Sequence, residues 1–173
     1  MPSLSHKERK QRKSCVDWLN TSLSLEDPQK RYVFATLTLK QARKHKKSGV
    51  YEPLNDEKAE QNAVWFADAL NKRVYKNRYK RGEAKLELVD FAEGGEGKLE
   101  RQHRHMLIEL PTHLGFDEFC MLIDKIWKGS RFGYSQYDLQ IAAKPSSVIW
   151  YGLKTGTEAL NLENLSFGYE KKQ

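Results

Sequence analysis

Cysteine is nearly absent from this chain: its 173 residues include 2, Cys15 and Cys120, too far apart in sequence to frame a disulfide scaffold or a sulfur-rich metal site. Long apolar runs are missing too, and no stretch has the layout of a secretory leader or a membrane span, so the expectation is a protein of a reducing, cytoplasmic setting with no membrane partner. There is no internal repeat and no low-complexity linker. These absences exclude a secreted disulfide fold, a transporter and a repeat array.

What remains is an ordinary globular composition, 39% hydrophobic and 31% charged, at a length that suits one domain with a sizeable core. Lysine and arginine outnumber the acids, for a net charge of +7. The sequence pI near 9.3 implies an anionic partner, and nucleic acid comes first. Residues 1–30 form a basic N-terminal extension, partly helical through Val16, Trp18 and Leu19, which is either a solvated tail or an arm that touches DNA.

From Arg31 the pattern turns extended. Val33, Ala35, Leu37 and Leu39 alternate with Phe34, Thr36 and Thr38, giving a core face and an open face whose aromatic ring and hydroxyls suit nucleotide contact. Residues 41–50 read as a basic loop, with Arg43, Lys44, Lys46 and Lys47 placed to grip phosphates. A long helix follows from about Asn55, with Ala63, Phe66, Ala67, Leu70 and Val74 on its stripe and Trp65 off it. Arg73, Lys76 and Arg78 crowd its C-terminal end, where they either complement the helix dipole or bind phosphate. Residues 86–93 then read as a strand and Gly94-Gly95-Glu96-Gly97 as a hairpin loop. Phe116, Phe119, Cys120, Ile123, Ile126 and Trp127 share a helical stripe, residues 137–142 a further strand, and Pro145 to Gly156 a short helix. Tyr134 and Tyr137 are assigned to structure or base stacking. The order of elements predicts an α+β, ferredoxin-like (RRM-like) split β-α-β domain: a central antiparallel sheet with helices on one face.

The chemistry gathers at two places. In a strand, side chains two apart share a face, so His103 and His105 point together while Met106, Ile108 and Leu110 turn the other way. A pair of imidazoles needs at least one further donor to hold a divalent metal, a carboxylate if the ion is Mg2+ or Mn2+, and Glu93 at the end of the preceding strand is the candidate. On the short helix Tyr151 and Lys154 stand three apart and share a face. A tyrosine hydroxyl is a poor nucleophile at its free pKa near about 10, so a neighbouring ammonium is chemically useful beside a metal that polarises a phosphate.

Three segments, in order, resemble the motifs of a known family: residues 32–39 (Tyr-Val-Phe-Ala-Thr-Leu-Thr-Leu) its first, residues 102–111 (Gln-His-Arg-His-Met-Leu-Ile-Glu-Leu-Pro) its metal-binding second, and residues 150–154 (Trp-Tyr-Gly-Leu-Lys) its catalytic third. The chain resembles a rolling-circle replication initiator of the HUH endonuclease superfamily, of the phage and small-plasmid type with a single catalytic tyrosine. The stretch Phe91-Ala-Glu93-Gly-Gly is similar to the phage-type glutamate motif. One departure is Arg104, at a position that is usually bulky and hydrophobic; its stem is expected to pack while its head reaches out.

The resemblance implies an endonuclease domain over residues 31–156, with residues 157–173 as a tail. It implies Mg2+ or Mn2+ held by Glu93, His103 and His105, and Tyr151 attacking phosphorus with Lys154 assisting, to leave a 5′-phosphotyrosine that a later 3′-hydroxyl can reverse. The implied partners are single-stranded or hairpin origin DNA with the host helicase and polymerase of a bacterial cell, since no Walker-type loop supplies a helicase here. A chain with one such tyrosine acts as a monomer or a dimer. Competing readings are a transposase or mobilisation relaxase with the same chemistry, a non-catalytic RRM-like nucleic-acid-binding module, and an interaction protein whose histidines are incidental.

Overall fold

The computed structural model describes residues 5–23, 25–45, 47–95 and 101–170. Lys46, Glu96 and Gly97, which the sequence reading named, and the last three residues of the expected tail lie outside the described residues. The elements run α1 (His6–Leu23), β1 (Tyr32–Leu39), β2 (Ala42–Lys44), β3 (Tyr51–Pro53), α2 (Asp56–Tyr75), α3 (Asn77–Lys80), β4 (Ala84–Glu93), β5 (His103–Glu109), α4 (Phe116–Gly129), β6 (Gly133–Ile141), α5 (Pro145–Gly152), a 3₁₀ turn (Thr157–Ala159) and β7 (Ser166–Glu170).

Five strands form one antiparallel sheet in the order β6-β1-β5-β4-β7. Read across the sheet without β7, the strands are the fourth, first, third and second in chain order. That order is compatible with a ferredoxin-like split β-α-β core, with α2 and α4 as its two helices. The alternation in β1 has the expected effect: Val33, Ala35, Leu37 and Leu39 join Leu86, Leu88, Met106 and Ile108 under α2 and α4, which contribute Phe66, Leu70, Phe119, Ile123 and Trp127. Helix α2 starts where a side chain can satisfy its free amides; Asn55 Oδ1 accepts from the Lys58 amide at 2.9 Å.

Helices are not confined to that face. Val16, Leu19 and Leu23 of α1 and Ile149 of α5 pack on Tyr32, Val89, Phe91 and Leu107, so part of the second face carries a smaller core of its own. The N-terminal segment is therefore a docked helix rather than an appended tail, because three apolar residues at helical spacing find the apolar positions that alternation leaves on the far side of β4 and β5. The expected C-terminal tail also belongs to the sheet: β7 pairs with β4, Ser166 opposite Leu88 and Ala84 opposite Glu170.

Three local expectations change. The basic loop at residues 41–50 is braced by a two-stranded hairpin, Arg43 lying opposite Glu52. The strand expected at residues 137–142 begins earlier, at Gly133, where a side chain would collide with the Trp127 carbonyl. The head of Arg104 does not reach out. It is buried and faces Asp90 at 3.4 Å, and Asp90 Oδ2 also accepts from the amides of Asn161 at 3.0 Å and Asn164 at 3.1 Å. The C-terminal segment thus folds back to donate hydrogen bonds to the carboxylate of a charged pair inside the protein.

Candidate metal centre and tyrosine

Register makes the site. Strands β1, β5 and β4 are adjacent, and their pairing sets Thr36 opposite His105 and Thr38 opposite His103, while Glu93 faces His103 from the other side. All lie on the face turned away from α2 and α4. His105 Nε2 is 2.7 Å and His103 Nε2 3.3 Å from Glu93 Oε2, and the two imidazole nitrogens are 3.1 Å apart. One ligand atom from each of the three residues lies within 4.8 Å of the others, so the group can bind a metal ion.

The outer nitrogens favour that use. His103 Nδ1 is 2.9 Å from the Arg101 carbonyl, which only accepts, so this nitrogen carries the proton and Nε2 presents a lone pair. His105 Nδ1 is 3.1 Å from the Thr36 hydroxyl, which accepts from the equivalent tautomer. The 2.7 Å contact of His105 Nε2 with Glu93 is a hydrogen bond when Nε2 carries the proton; with the proton on Nδ1 instead, toward Thr36, two imidazoles and a carboxylate turn their lone pairs to one point and form a donor set for a divalent metal.

Protonation states agree. Burial, then the neighbouring His103, push the His105 pKa below its ordinary value, which favours the neutral ligand form. Burial would raise that of Glu93, but hydrogen bonds from Lys154 and His105 outweigh it and hold the carboxyl below the usual range. Lys154 is raised: burial works against its charge, and hydrogen bonds to Glu93 and Tyr151 more than offset that.

Helix α5 brings the tyrosine in. Ile149, Gly152 and Leu153 are buried beneath it, and a Cβ on Gly152 would lie 2.4 Å from the Phe91 ring, so only glycine lets the helix sit this close. Tyr151, 44% exposed, stands with its ring centroid 5.1 Å from that of His105 and 6.2 Å from that of Phe34. Lys154 Nζ donates to the Tyr151 hydroxyl at 3.0 Å and reaches Glu93 Oε1 at 2.5 Å. Glu93 thereby joins the ligand group to the tyrosine. From outside, Arg12 of α1 donates to the Trp150 carbonyl and lies over the Trp150 ring at 4.8 Å.

The structure thus brings Glu93, His103, His105, Tyr151 and Lys154 together; spacing had placed His103 with His105 and Tyr151 with Lys154, but not one pair beside the other. Phe34 and Thr36, expected to touch DNA, stand beside the site: one packs against Tyr151 and His105, the other meets His105 Nδ1 with its hydroxyl. Thr38 is half-buried, and its carbonyl accepts from the Trp127 indole at 3.1 Å. Arg43, Lys44 and Lys47 belong to the β2–β3 hairpin and its turn. Arg73, Lys76 and Arg78 are not part of this group. The N-terminus of α2 lies at the site end, where Asp56 accepts from Gln102 at 2.8 Å, and a helix of 20 residues carries its other end about 30 Å away.

Sequence reasoning missed Gly152, Thr36 as an orienting group, and the Arg12 contact. Gly152 stood inside the quoted tyrosine motif and was the one available signal; the other two depend on register and on helix docking, which no local pattern encodes. No protein-family model matches the chain, and comparison with curated proteins and with solved structures yields no match either.

Proposed function

We propose that this chain is a metal-dependent, site-specific single-stranded DNA endonuclease and strand-transferase of the rolling-circle initiator kind, acting through a 5′-phosphotyrosine. The observation that carries the reading is the shared carboxylate: Glu93 contacts both imidazoles through one oxygen and Lys154 through the other, and Lys154 donates to the Tyr151 hydroxyl. A nucleophile and a cation site placed this close suit attack on a phosphodiester.

Glu93, His103 and His105 would hold Mg2+ or Mn2+, which when bound supplies Lewis-acid polarisation of a phosphate oxygen. The chain's own residues do the rest. The Lys154 ammonium stabilises negative charge on the phenolic oxygen as its proton departs to solvent, and the Phe34 and His105 rings restrict where that oxygen can point. A bond forms between Tyr151 Oη and phosphorus as the bond to the 3′-oxygen breaks, and that oxygen leaves as a hydroxyl once protonated. Because the phosphodiester energy is retained in the tyrosine ester, a later 3′-hydroxyl reverses the exchange and rejoins a strand. Single-stranded or extruded hairpin DNA is the fitting substrate, since its phosphates reach a shallow site; host helicase and polymerase are the partners that replication would require. Among the described residues no helix is long and apolar enough to cross a membrane.

The test is incubation with 3′-labelled single-stranded DNA, from the replicon or from a randomised library, with Mn2+ or Mg2+, followed by a denaturing gel. A protein-linked band that disappears in EDTA and in Tyr151→Phe is the expected result. Metal-independent binding without any adduct, on every substrate offered, would overturn the reading in favour of a nucleic-acid-binding module.

A further inference from the structure

Trp65 is the feature the proposed chemistry leaves unused. It projects from α2 outside the core stripe, 48% exposed, into a groove of about 700 Å³ whose walls come from the end of β1, the β2 strand and residues 128–132. That volume lies in the range that encloses a ligand of drug or nucleotide size. Cations line the groove: Lys40, Arg43, Lys58, Lys128 and Arg131. Three are held by neighbouring acids, Lys58 and Arg131 by Glu52 and Lys128 by Asp124. No carboxylate among the described residues pairs with Lys40 or Arg43.

The groove lies at the end of β1 that follows Thr38, on the α2 side of the sheet, with the ligand group on the other face of the same strands. Lys40 is two residues beyond Thr38, the cross-strand partner of His103, and two strand residues span about 7 Å. The wall formed by residues 128–132 follows Trp127, whose indole is bonded to the Thr38 carbonyl, and Lys40 donates its amide to the Phe132 carbonyl at 2.7 Å. A strand with one phosphate at Tyr151 reaches this groove by running past Thr38 and turning over the end of β1 at Lys40.

We infer that this groove is a subsite for single-stranded DNA flanking the scissile phosphate, with a base stacked on Trp65 and the adjoining phosphates on Lys40 and Arg43. An exposed indole beside unpaired cations is the arrangement that binds unpaired nucleotides without regard to sequence: every base has a stacking face, and a duplex has none free. The inference rests on the reading that the chain acts on single-stranded DNA, and it deepens that reading by giving the strand a path.

The experiment is binding of the full chain to fluorescein-labelled oligothymidylate in EDTA, read by anisotropy, so that cleavage plays no part. Trp65→Ala is expected to weaken binding about 5- to 100-fold, and Trp65→Phe to recover most of the loss. The double variant Lys40→Ala with Arg43→Ala should lower the slope of log affinity against log salt by about 0.7 per phosphate contact removed. Wild-type affinity in Trp65→Ala would overturn the subsite, as would an equal loss for a duplex of the same length. Adduct formation on the gel separates the two proposals: a Tyr151 adduct with binding indifferent to Trp65 sinks this subsite alone. Binding that depends on Trp65 without any adduct sinks the nickase and keeps the groove.

Discussion

The two faces of the sheet are made by the same strands, and they are built on different terms. Toward α2 and α4, most alternate positions of β1, β4 and β5 are apolar and covered, with Phe66, Phe119 and Trp127 among the largest side chains removed from water, and the charges that do fall there, Arg104 and Asp90, are buried against each other. On the opposite face the apolar positions cluster where α1 and α5 dock, and the neighbouring positions on the same strands carry Thr36, Thr38, Glu93, His103 and His105. One face therefore supplies burial and the other gives up part of its burial to hold a charged, hydrogen-bonded group. Changes on the first face should be felt as stability, and changes on the second as binding and chemistry.

The largest effect tests the covered face. Phe66→Ala removes a fully buried ring that packs edge-on against Trp127 at 5.3 Å, and should destabilise the protein by about 3–5 kcal/mol in urea unfolding. Gly152→Ala probes the seam between the faces. Its methyl group would collide with the Phe91 ring, so α5 must shift, at a cost of about 1–3 kcal/mol. Because Tyr151 precedes it on that helix, adduct yield should fall much further than the stability loss accounts for. An adduct yield that merely follows the folded fraction would show that the position of α5 does not matter.

How much was legible beforehand follows the same division. The open and covered faces of β1 and β5 could be read because period-two alternation is a local signal, and it placed the histidines correctly relative to Met106 and Ile108. Strand β7 could not be read: Ser166–Glu170 has no apolar run, and only its long-range pairing with β4 makes it a strand. Helix α1 was visible but its docking was not. Its stripe is thin among lysines and arginines, and Trp18, the most conspicuous apolar residue in it, turns outward to meet Phe167 at 5.7 Å instead of entering the core. Arg104 was misread for a related reason. Its partner Asp90 sits on the neighbouring strand, and the amides that complete the pair come from Asn161 and Asn164, in a segment the sequence left without pattern.

On the polar face, Thr36→Val is the sharper probe. Valine keeps the shape of threonine and the extended backbone of β1, but removes the hydroxyl that His105 Nδ1 meets at 3.1 Å. Losing such an orienting partner should reduce Mn2+ affinity about 10- to 100-fold by calorimetry. Urea unfolding in EDTA should be nearly unchanged, since the position is only half-buried and its neighbours are polar. An equal loss of stability in EDTA would mean that the hydrogen bond holds the sheet rather than the ligand.

The smallest effect asks whether the faces are separable where they come closest. Asn55 caps α2 on the covered side, and the next residue, Asp56, accepts from Gln102, which adjoins His103 in the chain. Asn55→Ala leaves the Lys58 amide without its side-chain partner and should cost about 1 kcal/mol in urea. Metal affinity should not change, because Asp56 is held by the helix backbone that follows and His103 is fixed by its own strand pairing and by the Arg101 carbonyl. A drop in Mn2+ affinity larger than the stability change would instead tie the first turn of α2 to the ligand group through Gln102, and the covered face would then have a part in setting the geometry of the open one.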